Sequence, residues 1–162
     1  MNSVMNKMVG MIILGLIYAG VITSPSQLRR EVEAVALQQL SGAMEIENGN
    51  PGGVSDFEDI RRLLLTGSVV LNRKNSPHWQ GNTIEGVIMA KDGGSIQYAN
   101  VTRDGFKTKK ASERTTLLAK YLLIYGSICP NNVMYQGQSK NGSGVYDSIP
   151  VKGDKNELFC FE

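Results

Sequence analysis

Histidine occurs once in this chain of 162 residues, tryptophan once and cysteine twice. A zinc finger, a cysteine-rich scaffold and a histidine-built metal site all need more ligands than that. Ser-His-Asp chemistry would have to run through His78 alone. An excess of one charge is missing too. Lys and Arg number 17 and Asp and Glu 15, a formal net charge of +2, which makes no electrostatic case for nucleic acid as the partner. No repeat and no low-complexity tract interrupts the chain. Apolar residues at 41% and charged residues at 20% exclude a disordered chain. The length suits one domain with a core of its own and no second one. Nothing in the pattern asks for a cofactor or a metal.

A charge-free apolar run stands at the N-terminus, from Met8 to Ile22, preceded by Lys7 and with Arg29 as the next charge. It is short for a spanning helix, which needs about 20 apolar residues, and suits the core of a signal peptide behind a basic residue. No good small-x-small cleavage site follows it. A membrane anchor and a cleaved signal peptide therefore both stand, with a buried core helix as the third reading. Arg29 and Arg30 outnumber Lys7, which fits the positive-inside rule poorly. Residues 1–24 are read as signal peptide or anchor, so the protein is exported to the cell wall or held at the membrane. Residues 25–162 are the domain.

The domain reads as α+β, mainly helical. Ser24-Pro25-x-Gln27 is a capping box with Pro at the first helical position,. Leu28, Val32, Ala36, Leu40 and Ala43 then share one helical face, and the helix ends near Asn48-Gly49. Ser55-x-x-Glu58 caps a second helix, apolar enough to be central, that stops around Asn72-Arg73. A short helix capped by Asn82 follows over 83–90. Another spans Ala111 to Tyr125, with Tyr121 and Tyr125 expected in the core and Gly126 at its end. Beyond Pro130, short apolar stretches separated by Asn141-Gly142-Ser143-Gly144 and Gly153-Asp154 predict a small antiparallel sheet,.

Three segments carry more specific information: Glu47-Asn48-Gly49 at a helix end, Val69-Val70-Leu71-Asn72-Arg73, and Asn82-Thr83-Ile84-Glu85-Gly86-Val87-Ile88. Gln97-Tyr98, Pro130-Asn131-Asn132-Val133 and Phe159-Cys160 come after them. In this succession the chain, from about Ala34 to Glu162, resembles the cell wall hydrolase family that includes the spore-cortex-lytic enzymes. It departs from that family in a longer Gly-rich stretch after Gly49, and in Trp79-Gln80-Gly81 where Phe-Pro is usual. The resemblance implies a lysozyme-like fold that cuts the glycan strand of peptidoglycan between muramic acid and glucosamine. It also places Gln97 and Tyr98 near the cleft, where Tyr98 could stack on a sugar ring. Asn72, Asn132 and Gln136 are further candidates for sugar hydrogen bonds. With export, Cys129 and Cys160 are expected bonded or adjacent on either side of the sheet.

Cleaving a glycosidic bond needs an acid to protonate the leaving oxygen, and a partly apolar cleft raises the pKa of a Glu for that task. The negative end of a helix dipole adds to the effect. Glu47 and Glu45 are the candidates. They point roughly 200° apart on a helix, and Glu47, four residues after Ala43, falls on the core side. No fixed second acid stands out, which suits lytic transglycosylation: the muramic acid 6-hydroxyl attacks and one Glu serves as acid and then base. Asp56, Glu58 and Asp59 read as charge at a helix N-terminus. A hydrolytic muramidase, including a phage endolysin, and a non-catalytic wall-binding or anchored protein on the same fold are the alternatives. In every case the partner is peptidoglycan, the protein is a monomer, and the membrane is met through the N-terminal segment.

Overall fold

Two apolar triplets, Leu63–Leu65 and Val69–Leu71, make one helix apolar on nearly all sides, and such a helix has to be buried all round. The computed structural model describes residues 34–48, 55–79, 81–92, 95–96, 98, 105–151, 153 and 155–162. The N-terminal apolar run, the expected helix start at Ser24, and Gln97 lie outside them. The described helices are α1 (Ala34–Asn48), α2 (Asp56–Asn75), α3 (Ile84–Ile88), α4 (Gly105–Thr108) and α5 (Glu113–Tyr125). The strands are β1 (Lys91–Asp92), β2 (Ser95–Ile96), β3 (Val133–Gly137), β4 (Gly144–Val151) and β5 (Lys155–Phe161). The class is α+β, with helices and a small three-stranded antiparallel sheet. Among the described residues no helix is long and apolar enough to cross a membrane.

The apolar helix is α2, and it separates two cores. On one side Leu63, Leu64, Val70 and Leu71 meet Leu40, Ala43 and Met44 of α1, Phe106 of α4 and Leu118 and Leu122 of α5. On the other side Leu65 and Val69 meet Cys129, Val133, Ile149 and Phe159 at the sheet. Each fully buried Leu or Phe contributes about 1.5–3 kcal/mol of transfer free energy. Two glycines let the main chains close up. A Cβ on Gly42 would lie 2.0 Å from the Phe106 carbonyl oxygen. One on Gly67 would lie 2.4 Å from Leu122 Cδ1 and 2.9 Å from Met44 Sδ, where α1, α2 and α5 meet.

The helix ends follow local chemistry. Ser55 and Glu58 form the expected capping box. The helix outruns its expected stop at Asn72-Arg73 and continues to Asn75, because those two side chains are packed inward rather than capping. Thr83, not Asn82, caps α3, its Oγ1 accepting from Gly86 N–H. Ser112 caps α5, and Gly126 with φ 89° ends it. Helix α4 and the β1–β2 pair were not expected. Tyr125 is 62% exposed, against its expected place in the core, and its ring rests on Tyr121 at 4.8 Å.

The sheet order is β3-β5-β4, so the last strand is central. Bulges interrupt β3 between Val133 and Tyr135 and β4 between Val145 and Asp147. The expected disulfide is absent: Cys129 and Cys160 are both free and buried. Strand alternation gives the reason. Phe159 and Phe161 turn toward the small core that contains Cys129, so Cys160 between them turns to the opposite face.

Candidate functional site

The end of α1 is locked onto α2, and this places Glu47. Asn48 is buried, and its Nδ2 donates to the Met44 carbonyl at 2.7 Å and to Thr66 Oγ1 at 3.3 Å. Arg62 of α2 donates from Nη2 to the Asn48 carbonyl, which satisfies one of the carbonyls that a helix C-terminus leaves without a partner. Glu47 is the penultimate residue of α1 and half-buried. Glu45 is elsewhere engaged. Its carboxylate accepts from Ser112 N–H at 3.3 Å, from Ser112 Oγ at 3.1 Å and from Thr115 Oγ1. It is the anion at the N-terminus of α5, where the dipole favours it.

Tyr98 lies close enough to Glu47 to feel its charge. Burial pushes the Tyr98 phenol up from its ordinary pKa. Arg73 pulls it down, and Glu47 raises it further. Its ring is 4% exposed and part of the main core, so it offers no open face for stacking a sugar. That corrects the expectation for Tyr98: the residue packs inward against Arg73. Its Oη is sealed from solvent. The Arg73 guanidinium sits over the ring, 5.2 Å from the centroid, and lowers the phenol pKa by its charge and by its side-chain hydrogen bonding.

Arg73 itself is 6% exposed. Its Nε donates to the Met134 carbonyl at 2.6 Å. The β3 bulge explains that contact, because a bulged residue leaves the ladder and frees its carbonyl, and Met134 has no partner on β5. On its other side the guanidinium lies 4.2 Å from the centroid of Trp79. Trp79 is brought back over the last turn of α2 by the 76–79 turn, in which Ser76 Oγ accepts from His78 N–H at 3.2 Å. Trp79 in turn meets Tyr135 edge-on, with centroids 5.7 Å apart. The row Glu47, Tyr98, Arg73, Trp79, Tyr135 thus joins α1, α2 and β3. Sequence reasoning named Arg73 only beside Asn72 and left Trp79 open between core and rim. Being the sole Trp of the chain was the signal available.

The remaining expected site residues separate from this row. Asn72 is buried, and its Nδ2 donates to the Pro130 carbonyl at 2.8 Å and the Val133 carbonyl at 3.0 Å. That role ties α2 to the start of β3 and replaces the expected sugar contact. Gln136 donates from Nε2 to Glu157 Oε1 at 2.5 Å, and its Oε1 is sealed inside. It belongs to a buried polar group with Arg62, whose Nε is 3.6 Å from Glu157 Oε2, an ion pair without a hydrogen bond. Gln136 therefore faces α2 and lines no groove. Asn132 is exposed in the turn before β3, its carbonyl accepting from Glu162 N–H at 2.8 Å. His78 is exposed, as expected. Asp56 and Asp59 pair with Arg114, at 3.1 and 3.4 Å, beside the first turn of α2. Among the described residues no three His, Cys, Asp or Glu side chains gather to hold a metal ion. Comparison with protein-family models, with curated proteins and with solved structures finds no match to the chain.

Proposed function

We propose that the protein is a peptidoglycan-degrading enzyme on a lysozyme-like domain, cutting the glycan strand between muramic acid and glucosamine with Glu47 as its acid. One observation carries the reading: Glu47 sits half-buried in the last turn of α1, with its charge felt by the buried Tyr98. A carboxyl at the negative end of a helix and beside an aromatic core holds its proton more tightly than one in water. That is the condition for donating it to a leaving oxygen. Of the two, Glu47 is the one whose charge reaches the buried Tyr98, which supports it as the choice.

Transglycosylation is favoured over hydrolysis because several acids among the described residues have other work. Asp147 meets Arg61 and Glu157 meets Arg62. Glu58 closes the capping box, and Asp56 and Asp59 meet Arg114. A two-carboxylate mechanism needs a second acid roughly 5–10 Å from the first. With one Glu, proton transfer to the glycosidic oxygen breaks the bond. The same carboxylate then takes the proton of the muramic acid 6-hydroxyl as that oxygen closes on the anomeric carbon. The N-terminal segment Met8–Ile22 would export the domain or hold it at the membrane, facing its substrate.

The test is digestion of purified walls by the full chain, with mass spectrometry of the soluble products. Anhydro-muramyl ends are expected. Reducing muramic ends would replace transglycosylation by hydrolysis. A protein that sediments with walls yet releases nothing would replace the enzyme by a wall-binding module.

A further inference from the structure

The chain has two Asn-Gly pairs, Asn48-Gly49 and Asn141-Gly142. Asparagine is chemically labile, and most so before glycine, where no side chain shields the next main-chain nitrogen from the Asn carboxamide. The fold treats the two asparagines in opposite ways. Asn48 is buried in the last turn of α1, its Nδ2 donating to the Met44 carbonyl at 2.7 Å and to Thr66 Oγ1 at 3.3 Å. That carboxamide can turn on its own main chain only when the helix end opens. Asn141 lies in the loop between β3 and β4, where residues 138–143 are all exposed. Gly142 follows it with φ 66°, a conformation that glycine adopts at little cost. The main chain of an exposed loop fluctuates far more readily than that of a helix packed in the core.

What the loop touches gives this pair a consequence. Gly142 is packed so closely that a Cβ there would run into the Phe161 carbonyl and lie 2.8 Å from Tyr135 Cε2. The next residue is tied to the same chain end: Ser143 N–H donates to the Phe161 carbonyl at 3.2 Å, and its Oγ to the Glu162 carbonyl at 2.8 Å. The Tyr135 ring meets Trp79 with centroids 5.7 Å apart. A change of main-chain length at residue 141 therefore presses on Tyr135, and through it on Trp79.

We propose that Asn141-Gly142 is a self-modifying site, which converts its asparagine to isoaspartate and aspartate and shifts Tyr135 and Trp79 as it does so. The Gly142 main-chain nitrogen attacks Asn141 Cγ. The N–Cγ bond forms as the Cγ–Nδ2 bond breaks, and Nδ2 leaves as ammonia with the Gly142 amide proton. Water then opens the cyclic imide. Breaking the N–Cγ bond gives aspartate. Breaking the bond from that nitrogen to the Asn141 main-chain carbonyl carbon gives isoaspartate, whose main chain runs through the former side chain and is longer by a methylene. No electrons are exchanged, and water is the co-reactant. Either product places a negative charge next to Lys140. The site is independent of the glycan-cleaving reading and stands without it.

The test keeps the full-length protein in ammonia-free buffer at neutral and at mildly alkaline pH. Samples taken at intervals are digested and read by mass spectrometry, with an isoaspartyl methyltransferase scoring isoaspartate. The peptide spanning Asn141 should convert with time, faster at alkaline pH because the attacking nitrogen reacts as its anion. The peptide spanning Asn48 should convert at least about ten-fold more slowly, and in urea the two rates should converge. Trp79 is the sole tryptophan of the chain. Its emission should drift in step with conversion in wild type and stay constant in Asn141→Gln, whose longer side chain closes a less favoured ring. Asn141 as inert as Asn48 in the folded chain, or Asn48 the faster of the two, overturns the site. Complete conversion with unchanged Trp79 emission overturns its reach to Tyr135 and Trp79. Should Asn141→Gln fail to fold, the wild-type comparison of the two asparagines still decides.

Discussion

Arg62 and Arg73 lie roughly three turns apart on α2, and so on the same face. They are equally buried, at 5% and 6% exposure. Arg62 is met by protein: the Asn48 carbonyl, and Glu157 across the seam to the sheet. Arg73 is met by the Met134 carbonyl and by the rings of Trp79 and Tyr98. Residue type, helix and burial are matched, so the partners alone distinguish the two positions. Arg62, paired with a carboxylate and a helix-end carbonyl, ties α1, α2 and the sheet together. Arg73 is held instead by two rings and by the carbonyl that the β3 bulge frees. Glu45 and Glu47 differ likewise in what they meet: the N-terminus of α5 for Glu45, the surroundings of Tyr98 for Glu47.

If that contrast is right, function and stability should divide between these residues. The largest effect expected is on catalysis. Glu47→Gln keeps size and removes the transferable proton, so glycan release should fall by about 10²–10⁴-fold. It should do so without a large change in thermal unfolding, whereas Glu45→Gln should retain turnover and lose stability. Full-length wild type and both variants assayed on purified walls settle the matter. An active Glu47→Gln beside an inactive Glu45→Gln would reverse the assignment.

The next effect is on stability at the other end. Arg62→Ala leaves Glu157 buried without its cation and should cost about 3–5 kcal/mol in urea unfolding. Arg73→Ala breaks no ion pair among the described residues and should cost less, about 1–2 kcal/mol from the ring contacts and the Met134 bond. Equal losses would erase the distinction on which the comparison stands. Asn72→Ala, which unties α2 from the Pro130 and Val133 carbonyls, should cost about 1–3 kcal/mol. Turnover per folded molecule should be unchanged. A selective loss of turnover would return Asn72 to the substrate.

Much of the fold was written in local chemistry. The capping box at Ser55, the glycine ending α5 and the strand stretches after Pro130 each depend on residues a few positions apart. The two apolar triplets of α2 announced its central place in the same way. What could not be read depends on distant pairs. The β3–β5–β4 order follows from which strand edges meet, and turns Cys160 away from Cys129. Asn72 and Gln136 looked like surface amides because a polar residue in a sequence does not disclose a partner more than twenty positions away. Tyr98 looked like an open ring for the same reason. The Glu47 end of α1 was legible from the period of Leu40 and Ala43. Arg73 between Trp79 and Tyr98 was not, since the bulge that frees the Met134 carbonyl is a property of strand pairing.

The smallest effect concerns Glu157, and it sharpens the account of Arg62. Burial raises the Glu157 pKa, and the hydrogen bond from Gln136 and the charge of Arg62 lower it less than burial raises it. The carboxyl is therefore easier to protonate in the folded chain than in the unfolded one, where it titrates near about 4.3. Between those two pKa values the folded state binds more protons. The contribution of this group to stability is thus fully present below the unfolded value and is lost as pH rises through the folded one. Glu157→Gln removes the titration and keeps an acceptor near Arg62. The unfolding free energy of the variant relative to wild type should therefore climb as pH goes from about 4 to 7, whatever its absolute level. Urea unfolding of both proteins across that range measures the slope. A flat difference would mean that Arg62 already compensates the buried carboxylate in full. A falling one would mean that the pair is a net stabilising bridge.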